Sequence, residues 1–251
     1  MNKFNHIIVF GDIHGEWDVI PNFIRDYQLD KCAIIVAGDF GIGFAPMKDE
    51  LRRIKNISKR MKHTDSTLFA IRGNHDNPEY FTGEFDTDRF KLVPDYTVLN
   101  LNNINILCVG GAYSVDRVVR RSYYNPREKK SDVIVVNDYW KDEVFNYDHD
   151  KVMSLKDINV VVTHSAPNVA PPYLKSGLDT WAVKDENIIQ DCDIERSQLS
   201  QMYTNLIDNG NKISLWFYGH FHQSNTIEYN GTRFIGLSIN QYKEIVNYEK
   251  E

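Results

Sequence analysis

The sequence predicts an α/β fold with two β-sheets, and three observations support this prediction. Short apolar runs alternate with amphipathic stretches over residues 4–71, which is the pattern of parallel strands joined by helices. Beyond about residue 97 the apolar runs are shorter, and some occur in hairpin-like pairs. No internal repeat, low-complexity tract or linker interrupts the sequence, so we expect a single domain over residues 1–251.

Strands and helices alternate in the first part of the chain. Continuous apolar runs predict buried strands at residues 4–10, 33–37 and 67–71. Apolar side chains recur at helical spacing from Trp17 to Tyr27, and Pro21 fits this helix only within its first turn. A second amphipathic helix runs from about Met47 to Met61, with acidic residues early and basic residues late, as the helix dipole favours. This alternation indicates a parallel sheet, whose ligand sites lie at the carboxyl ends of the strands.

The second part of the chain contains two predicted hairpins. Residues 97–109 form the first, with Asn102 and Asn103 as its two-residue turn. The second covers about 224–238 and turns at Asn230-Gly231.

Two further buried strands and one helix are predicted between these hairpins. A proline-containing loop is expected from Ser165 to about Cys192, and a loop of that length is usually functional or disordered. The helix that follows has Asp193 as its N-cap and Gly210 as its stop. The buried strands are expected at residues 158–163 and 213–218.

Length and composition are those of an ordinary globular protein. The 251 residues are 42% hydrophobic and 25% charged, which is sufficient for a full core. A net charge of −6 and a pI near 5.8 predict no overall attraction to long nucleic acid or to anionic membrane. Three widely spaced cysteines lack metal-binding spacing, which predicts inert buried thiols in a reducing compartment. Because no signal-peptide pattern or membrane-spanning apolar stretch is present, we expect a cytoplasmic protein.

Polar side chains of metal-binding type follow five apolar runs at the point where each run ends. Polar residues after one strand usually form only a turn, but five such endings in one chain are not expected by chance. The two-residue spacing of Asp12 and His14, and of His220 and His222, projects both side chains to one side of an extended chain. The residues at the five ends are Asp12 and His14, Asp39, Asn74 with His75 and Asp76, His164, and His220 with His222.

Seven of these residues are candidate metal ligands, comprising four imidazoles, two carboxylates and one amide. One ion needs about four to six donors, so seven donors with a bridging carboxylate fit two ions. Nitrogen and oxygen donors without thiolate suit Mn, Fe, Zn or Ni rather than Mg or Ca. We therefore predict two divalent or trivalent ions, manganese first, with Fe, Zn or Ni as alternatives. The predicted ligands are Asp12, His14, Asp39, Asn74, His164, His220 and His222.

The order of these motifs resembles that of the calcineurin-like metallophosphoesterases, including little-characterised bacterial and phage members. That family's pattern of Asp-x-His, Gly-Asp, Gly-Asn-His-Asp/Glu, a lone His and Gly-His-x-His is met in order by residues 11–15, 38–39, 73–76, 164 and 219–222. The resemblance implies a four-layer αββα sandwich of two mixed sheets flanked by helices, with the site at the strand ends. It also implies that one ion is held by Asp12, His14 and His222, the other by Asn74, His164 and His220, and that Asp39 bridges them.

The chemistry expected of such a site is hydrolysis of a phosphate ester. Two ions about 3.5–4 Å apart lower the pKa of a shared water and clamp the phosphoryl oxygens, so that the bridging hydroxide attacks phosphorus. His75 is placed to protonate the leaving oxygen as general acid, an effect worth about 10²–10⁴-fold. Asp76 is predicted to orient His75 or to bind solvent at the site edge. Arg72 is predicted either to hold a phosphate oxygen or to point away from the site.

One departure from the family pattern bears on the substrate. The protein-phosphatase branch carries Asp-Arg-Gly after its Gly-Asp motif, where this chain has Ile42-Gly43-Phe44. A dedicated Ser/Thr protein phosphatase is therefore disfavoured. The segment 110–117 resembles one found in bacterial and phage members, and it is predicted to bring Asp116 or Arg117 to the mouth of the site.

Two further segments have alternative interpretations. The basic stretch 117–130 is interpreted either as a solvated face or as a substrate contact. Trp181 and Tyr173 are interpreted either as a lid over the substrate or as packing for their own loop.

The function predicted from these features is that of a metal-dependent phosphoric ester hydrolase acting on a phosphate mono- or diester. The alternatives are a Ser/Thr protein phosphatase-like enzyme, a nuclease acting on short oligonucleotides, and a non-catalytic metal-binding scaffold. The expected partner is a small phosphoester or a phosphorylated nucleotide or peptide, and no membrane. The physiological substrate, the native metals and the oligomeric state are left open.

Overall fold

The computed structural model describes residues 3–123, 139–171 and 177–245. The strands among these residues are β1 His6–Phe10, β2 Cys32–Val36, β3 Thr67–Ala70, β4 Phe90–Leu92, β5 Thr97–Leu101, β6 Ile104–Val109, β7 Val160–Thr163, β8 Leu215–Tyr218, β9 Asn225–Tyr229, β10 Thr232–Gly236 and β11 Tyr242–Glu244. The α-helices are α1 Val19–Asp26, α2 Met47–Lys62, α3 Arg117–Tyr123, α4 His149–Ser154, α5 Leu178–Ala182 and α6 Ile188–Asp208.

The strands form two mixed sheets. The first has the order β11-β1-β2-β3-β4, in which β1 to β4 are parallel and β11 is antiparallel to β1. The second has the order β5-β6-β7-β8-β10-β9, with parallel pairing from β6 to β10 and antiparallel strands at both edges. Because the inner strands of each sheet are parallel, their carboxyl ends lie together at one edge of that sheet.

The two sheets are the middle layers of a four-layer sandwich, as predicted. Side chains that alternate along a strand pack into two different cores. In β2, Ala33 and Ile35 pack in the core between the two sheets, whereas Ile34 and Val36 pack in the core under α1 and α2. A third core, with Trp216 and Phe234 among its members, lies between the second sheet and α6. Full burial of an Ile, Val or Phe side chain stabilises the fold by about 1.5–3 kcal/mol. The order of layers is therefore helix, sheet, sheet, helix.

Most elements predicted from the sequence are confirmed. Both hairpin turns have the left-handed backbone of a type I′ turn, with φ of 52° and 66° at Asn102 and Asn103 and 49° and 79° at Asn230 and Gly231. Pro21 is the third residue of α1 and so lies in the first turn. Cys32 and Cys108 are buried, and burial raises the pKa of both thiols.

The predicted loop between Ser165 and Cys192 is wrong in its second half. This segment contains α5 and the first turn of α6, which starts at Ile188, so Asp193 lies inside the helix and is not its N-cap. Ile188 is fully buried, and its packing extends the helix by more than a turn beyond the residues with clear periodicity. Among the described residues, no helix combines the length and apolar character needed to cross a bilayer.

Candidate metal centre

Loops after five strands bring the seven predicted ligands to one edge of the sandwich. Those after β1, β2 and β3 belong to the first sheet, and those after β7 and β8 to the second. The backbone is left-handed at His14, Asp39, His220 and His222, with φ of 43°, 48°, 65° and 52°. The assumption of an extended chain at the two spaced pairs is therefore wrong, since each loop turns sharply. Such a backbone costs about 1–3 kcal/mol per residue and is maintained where the surrounding structure determines it.

One group of donor atoms, the first donor group, surrounds the Asp12 carboxylate. Asp12 Oδ2 lies 3.0 Å from His222 Nε2 and 3.7 Å from His14 Nε2. The two ring nitrogens lie 2.9 Å apart, and His14 Nε2 is 3.9 Å from Asp39 Oδ2. Ligand atoms of Asp12, His14, Asp39 and His222 all lie within 4.8 Å of one another, a grouping that could hold a metal ion.

A second donor group surrounds the amide oxygen of Asn74. Asn74 Oδ1 lies 3.0 Å from His164 Nε2 and 2.9 Å from His220 Nδ1. His164 Nε2 is in turn 3.2 Å from Asp39 Oδ1. His164 Nδ1 is 2.7 Å from the carbonyl oxygen of Ala37, to which it donates. That hydrogen bond orients the ring so that Nε2 faces the other donors, as is usual for a metal-binding histidine.

Asp39 belongs to both donor groups. Its Oδ2 faces the first group and its Oδ1 faces the second, so the carboxylate lies between them. Its Oδ1 also accepts a hydrogen bond from the backbone N–H of His75 at 2.8 Å. The side chain is almost fully buried, so its position is determined by these neighbours.

The donor set fits metal ions by its chemistry as well as by its geometry. Burial and the neighbouring His164 lower the pKa of His220 to about 3, so that ring presents a lone pair. Burial opposes the charge on His164, but Asp39 and Asp12 outweigh it and raise the pKa of His164 to about 10. Burial likewise opposes the charge on Asp39, and His164, His75 and His14 hold the pKa of that carboxyl well below its usual range. The carboxylates thus favour positive charge at this point of the site, which is the charge that a metal ion would supply.

The Asn74 amide is oriented by a residue that sequence analysis did not identify. Asn74 Nδ2 donates to Ser114 Oγ at 3.0 Å, which points Oδ1 toward the two histidines. The guanidinium of Arg120 contacts the same serine hydroxyl and donates to the backbone oxygen of Asn74 at 3.3 Å. Arg120 also pairs with buried Glu143 at 3.1 Å. Ser114, Arg120 and Glu143 therefore support the second donor group from behind.

Two glycines permit the close approach of backbone and ligands. A Cβ on Gly219 would lie 2.1 Å from Asp12 Oδ1, and one on Gly38 would lie 2.1 Å from His164 Nδ1. Gly38 also has a φ of +94°, which other residues rarely adopt. The glycines that precede Asp39 and His220 in the sequence are thus required by packing against the opposite loops.

His75 lies at the open side of this site. Its ring centroid is 5.4 Å from that of His14, and both rings are partly accessible, whereas Asp12 and His164 are fully buried. Burial lowers the pKa of His75, Asp39 raises it, and Arg120 lowers it, with a net lowering. The ring is therefore close to the donor groups and accessible from solvent.

The predicted roles of Asp76 need correction. Its carboxylate is fully buried and accepts from the backbone N–H groups of Phe40, Gly41 and Gly73 at 3.0, 2.7 and 2.8 Å, with a further bond from Ile42. Within the described residues, these bonds occupy both oxygens, and none joins Asp76 to His75. Asp76 thus holds the loop after β2 against the loop after β3.

Arg72 also points away from the donor groups, the second of its two predicted alternatives. Its guanidinium donates to Asp95 at 2.7 Å and to the backbone oxygens of residues 142, 143 and 144 at 3.2, 2.8 and 2.9 Å. The side chain is buried. A phosphate oxygen would have to replace one of these acceptors.

The predicted substrate contact at Arg117 is contradicted by its partners. Its guanidinium is buried and pairs with Asp185 at 2.5 Å and with Asp191 at 2.6 Å. Asp116 pairs with Arg120 at 3.1 Å, and the segment 110–117 contacts the site through Ser114 rather than through Arg117. Trp181 is half-buried, with the Lys184 ammonium 5.1 Å from its ring. Tyr173 and residues 124–130 of the basic stretch lie outside the described residues.

Sequence reasoning missed Ser114, Arg120 and Glu143 because they support Asn74 from distant parts of the chain. Ser114 and Arg120 contact Asn74 directly, and Glu143 acts through Arg120. The segment 110–117 is predicted to reach the site through Asp116 or Arg117. It contacts the site through the Ser114 hydroxyl instead, and Ser114 belongs to none of the sequence motifs. Arg120 lay within the basic stretch, where its sequence neighbours gave no indication of burial. Its buried carboxylate partner, Glu143, lies outside the basic stretch.

Comparison with known proteins places this geometry in a family. A family model described as calcineurin-like phosphoesterase matches residues 6–224. No match was found among curated protein sequences.

Several solved structures are similar to the chain. TT1561 of Thermus thermophilus has 11% identity and a TM-score of 0.52, over 94% of this chain and 90% of that chain. A putative 5′-nucleotidase from Staphylococcus aureus has 12% identity and a TM-score of 0.47, over 95% of this chain and 49% of that chain. Phosphopantetheinyl hydrolase from Mycobacterium tuberculosis has 15% identity and a TM-score of 0.43, over 98% and 97% of the two chains. At these identities the likeness to TT1561 shows the fold alone.

Proposed function

The chain belongs to the calcineurin-like phosphoesterase family, which makes it a phosphoric ester hydrolase, and from this premise we propose that it cleaves a phosphate ester at a dinuclear metal centre. The first ion would be held by Asp12, His14 and His222, and the second by Asn74, His164 and His220. Asp39 would bridge them.

The observation that carries the proposal is the position of the Asp39 carboxylate. One of its oxygens lies 3.9 Å from His14 Nε2 in the first donor group, and the other lies 3.2 Å from His164 Nε2 in the second. A carboxylate that served only one ion, or only an ion pair with His164, would not need both oxygens directed at separate sets of nitrogen donors. The ions that fit such donors are Mn, Fe, Zn or Ni, with Mn first.

When bound, a pair of ions would supply an activated water and neutralise charge on the phosphoryl oxygens. The residues of this chain would hold and orient the ester. The buried face of the site, Asp12, Asp39 and His164, is closed to solvent, so the ester must enter from the side of His14, His75 and His222. His75 would then stand beside the leaving oxygen and give it a proton from its ring as the P–O bond breaks.

The protonation of His75 depends on its surroundings. Burial and Arg120 lower its pKa, and the Asp39 carboxylate opposes them. A lowered pKa makes the ring a stronger acid when protonated, at the expense of the protonated fraction near neutral pH. The proton from His75 matters most for esters with a poor leaving group, because a good leaving group departs as an anion.

The surroundings of the site favour a phosphodiester over a monoester. A monoester carries a second negative charge, and enzymes commonly bind it with the fork of an arginine. Among the described residues, Arg72 and Arg117 are fully engaged with carboxylates and backbone oxygens, and Arg120 is paired with Glu143 and Asp116. A singly charged diester does not need an arginine of this kind.

The role of His75 is tested by varying the leaving group. We expect His75→Asn to lower kcat for an alkyl phosphodiester by about 10²–10³-fold and for a bis-nitrophenyl ester, whose leaving group needs no proton, by less than about tenfold. Asp39→Asn should remove activity toward both esters, because it disrupts both donor groups. His149→Asn, an exposed histidine of α4, is the matched control and should behave as the wild type. Equal losses on the two esters in His75→Asn would show that His75 is not the proton donor.

The requirement for metal is measured in the same series. Wild-type protein stripped with a chelator should be inactive, and Mn²⁺ should restore turnover. Metal analysis of the restored protein should give two ions per chain in the wild type. A single tightly bound ion, or full activity in the presence of chelator, would contradict the dinuclear proposal.

A further inference from the structure

Helix α2 carries a positive charge that is opposite to that of the chain as a whole. Its 16 residues include seven Lys or Arg and two Asp or Glu, a net charge of +5, in a chain whose net charge is −6. The rest of the chain therefore has a net charge of −11. Such local concentration is not required for solubility, which the other surfaces already provide.

The charges of α2 are arranged as a stripe along its exposed side. Positions separated by four, three, four and three residues lie on one side of a helix. The stripe covers four turns and is about 21 Å long. The opposite side of α2 packs Ile54, Ile57 and Met61 into the core. The members of the stripe, all exposed, are Lys48, Arg52, Lys55, Lys59 and Lys62.

Most of the stripe is available to an external anion. In the part of the chain that the structure describes, only Arg52 among its members forms an ion pair, with Asp49 at 3.0 Å and with both side chains well exposed. An exposed pair of this kind is worth at most about 1 kcal/mol and is readily exchanged. The stripe thus differs from the basic residues Arg72 and Arg117, whose charges are engaged internally.

A groove of about 930 Å³ lies between α2 and the loop that leads from the metal centre. Its walls include Gly15, the residue after His14, with Trp17, Lys59 and Arg60, together with the carboxylates of Glu16 and Asp18. Arg53 Nη2 donates to the backbone oxygen of Gly15 at 3.1 Å, and the Arg53 guanidinium lies 4.0 Å above the Trp17 ring. Groove and stripe share Lys59, so they form one continuous surface.

This surface points toward the metal centre because of the topology. The amino end of α2 follows the loop that carries Asp39, at the carboxyl edge of β2, and the helix then runs back toward the opposite edge of the sheet. Lys48 is therefore at the end of the stripe nearest to the site, and Lys62 is at the far end. An extended anion that lies on the stripe has one end directed at the donor groups.

We propose that the α2 stripe and the adjoining groove bind the phosphodiester backbone of a nucleic-acid strand. Phosphates repeat along such a strand and match a row of cations one helical turn apart, whereas an isolated phosphate would use only one or two of them. If a phosphate of that strand is cleaved at the metal centre, that step rests on the proposed function. The binding of the strand to α2 is independent of the proposed function.

A nucleic acid fits this surface better than an anionic membrane does. Helices that bind membranes present large apolar side chains beside their basic ones. Among the described residues of α2, Met47 is the one exposed large hydrophobic residue, and it is at the first position of the helix. The aromatic ring in the groove, Trp17, is buried under Arg53 and is not available for insertion into a bilayer.

The test is the binding of a short fluorescein-labelled single strand, of DNA and of RNA, measured by anisotropy in EDTA so that no turnover occurs. The test variant replaces Lys55, Lys59 and Lys62 by Glu, and the control variant replaces Lys3, Lys212 and Lys243, three exposed lysines outside α2, by Glu. The two variants have the same net charge. At low salt we expect the α2 variant to bind about tenfold or more weakly than the control, and the slope of log K against log salt to fall by about 2 for three lost phosphate contacts.

The outcomes separate this inference from the proposed function. Equal affinities of the two variants, no binding by the wild type, or stronger α2-dependent binding to phosphatidylserine vesicles would each overturn the inference. Hydrolysis of simple diesters would still support the proposed function in those cases. Conversely, a metal-loaded protein that cleaves no ester but still loses strand binding in the α2 variant would refute the proposed function and leave the inference standing. The DNA and RNA arms identify which backbone is preferred.

Discussion

At the residue scale, Asn74 is held at both ends of its side-chain amide. Its oxygen faces His164 and His220, while its nitrogen donates to Ser114 Oγ at 3.0 Å. An amide can present either its oxygen or its nitrogen to a given partner, and only the oxygen can bind a cation. The hydrogen bond from the nitrogen to the serine hydroxyl therefore favours the orientation that the second donor group needs.

Replacing Ser114 by Ala should weaken one ion selectively. We expect the dissociation constant at the second donor group to rise by about 10–100-fold, as is usual when a residue that orients a ligand is removed. The ion at the first donor group should change by less than about threefold, because Ser114 contacts none of its ligands among the described residues. Isothermal titration of the metal-free protein with Mn²⁺ measures both constants.

Ser214→Ala is the control for this prediction. Ser214 is exposed and lies before β8, at the end opposite to His220. The control should retain both constants. Equal weakening of both ions in Ser114→Ala would instead indicate general loosening of the site.

At the scale of elements, Arg72 joins three segments of the chain. It follows β3, pairs with Asp95 after β4, and donates to the backbone of residues 142–144. Asp95 also accepts from the backbone N–H of Gly110, just after β6. This pair of a buried Arg72 and a partly buried Asp95 therefore connects the carboxyl edges of both sheets, next to the loop that carries Asn74.

The loss of this connection should be seen in stability. Arg72→Met leaves the Asp95 carboxylate and three backbone oxygens without their donor, and we expect the free energy of unfolding to fall by about 3 kcal/mol. The midpoint of urea denaturation measures the change, provided that the slope is unchanged. Arg233→Met, which removes an exposed pair with Glu228, should cost less than about 1 kcal/mol.

A substrate-binding Arg72 would give the opposite pattern. In that case Arg72→Met would raise KM for the ester severalfold and leave the urea midpoint where it is in the wild type. Kinetics and denaturation of the same variant thus decide between the two roles.

At the scale of the whole molecule, the donor groups are shared by both sheets. Asp12, Asp39 and Asn74 come from the first sheet, and His164, His220 and His222 from the second. Each donor group contains residues of both. Metal binding therefore fastens the carboxyl edges of the two sheets to each other, in addition to the apolar core between them.

Metal should accordingly raise the thermal stability of the whole fold. At an ion concentration about 100 times Kd, binding to the native state contributes about 2.7 kcal/mol per site. For a chain of this size that corresponds to an increase in Tm of about 5–10 °C per ion. Calorimetry of stripped wild-type protein with and without Mn²⁺ measures the shift, and Asp39→Asn should lose most of it. A wild-type Tm that does not respond to Mn²⁺, Fe²⁺, Zn²⁺ or Ni²⁺ would contradict a metal centre at this interface.

Much of the architecture could be predicted from the sequence because it depends on local pattern. The apolar runs, the amphipathic periodicity of α2 and the Asn-Gly and Asn-Asn turns each act within a few residues of chain. The start of α6 could not be read in this way, since its first turn has weak periodicity and is stabilised by the burial of Ile188 against distant residues.

For the site, the sequence by itself determined which residues with ligand chemistry stand at the ends of strands, because parallel strands of one sheet end at a common edge. Only the tertiary structure decided which charges face that edge and which are engaged elsewhere. Arg72, Asp76 and Arg117 are close to site residues along the chain, yet each is directed away from the donor groups by its own partners. The reason is physical: a buried charge must be paired, and its partners come from segments far away in sequence, as Asp95 is from Arg72 and Asp185 from Arg117.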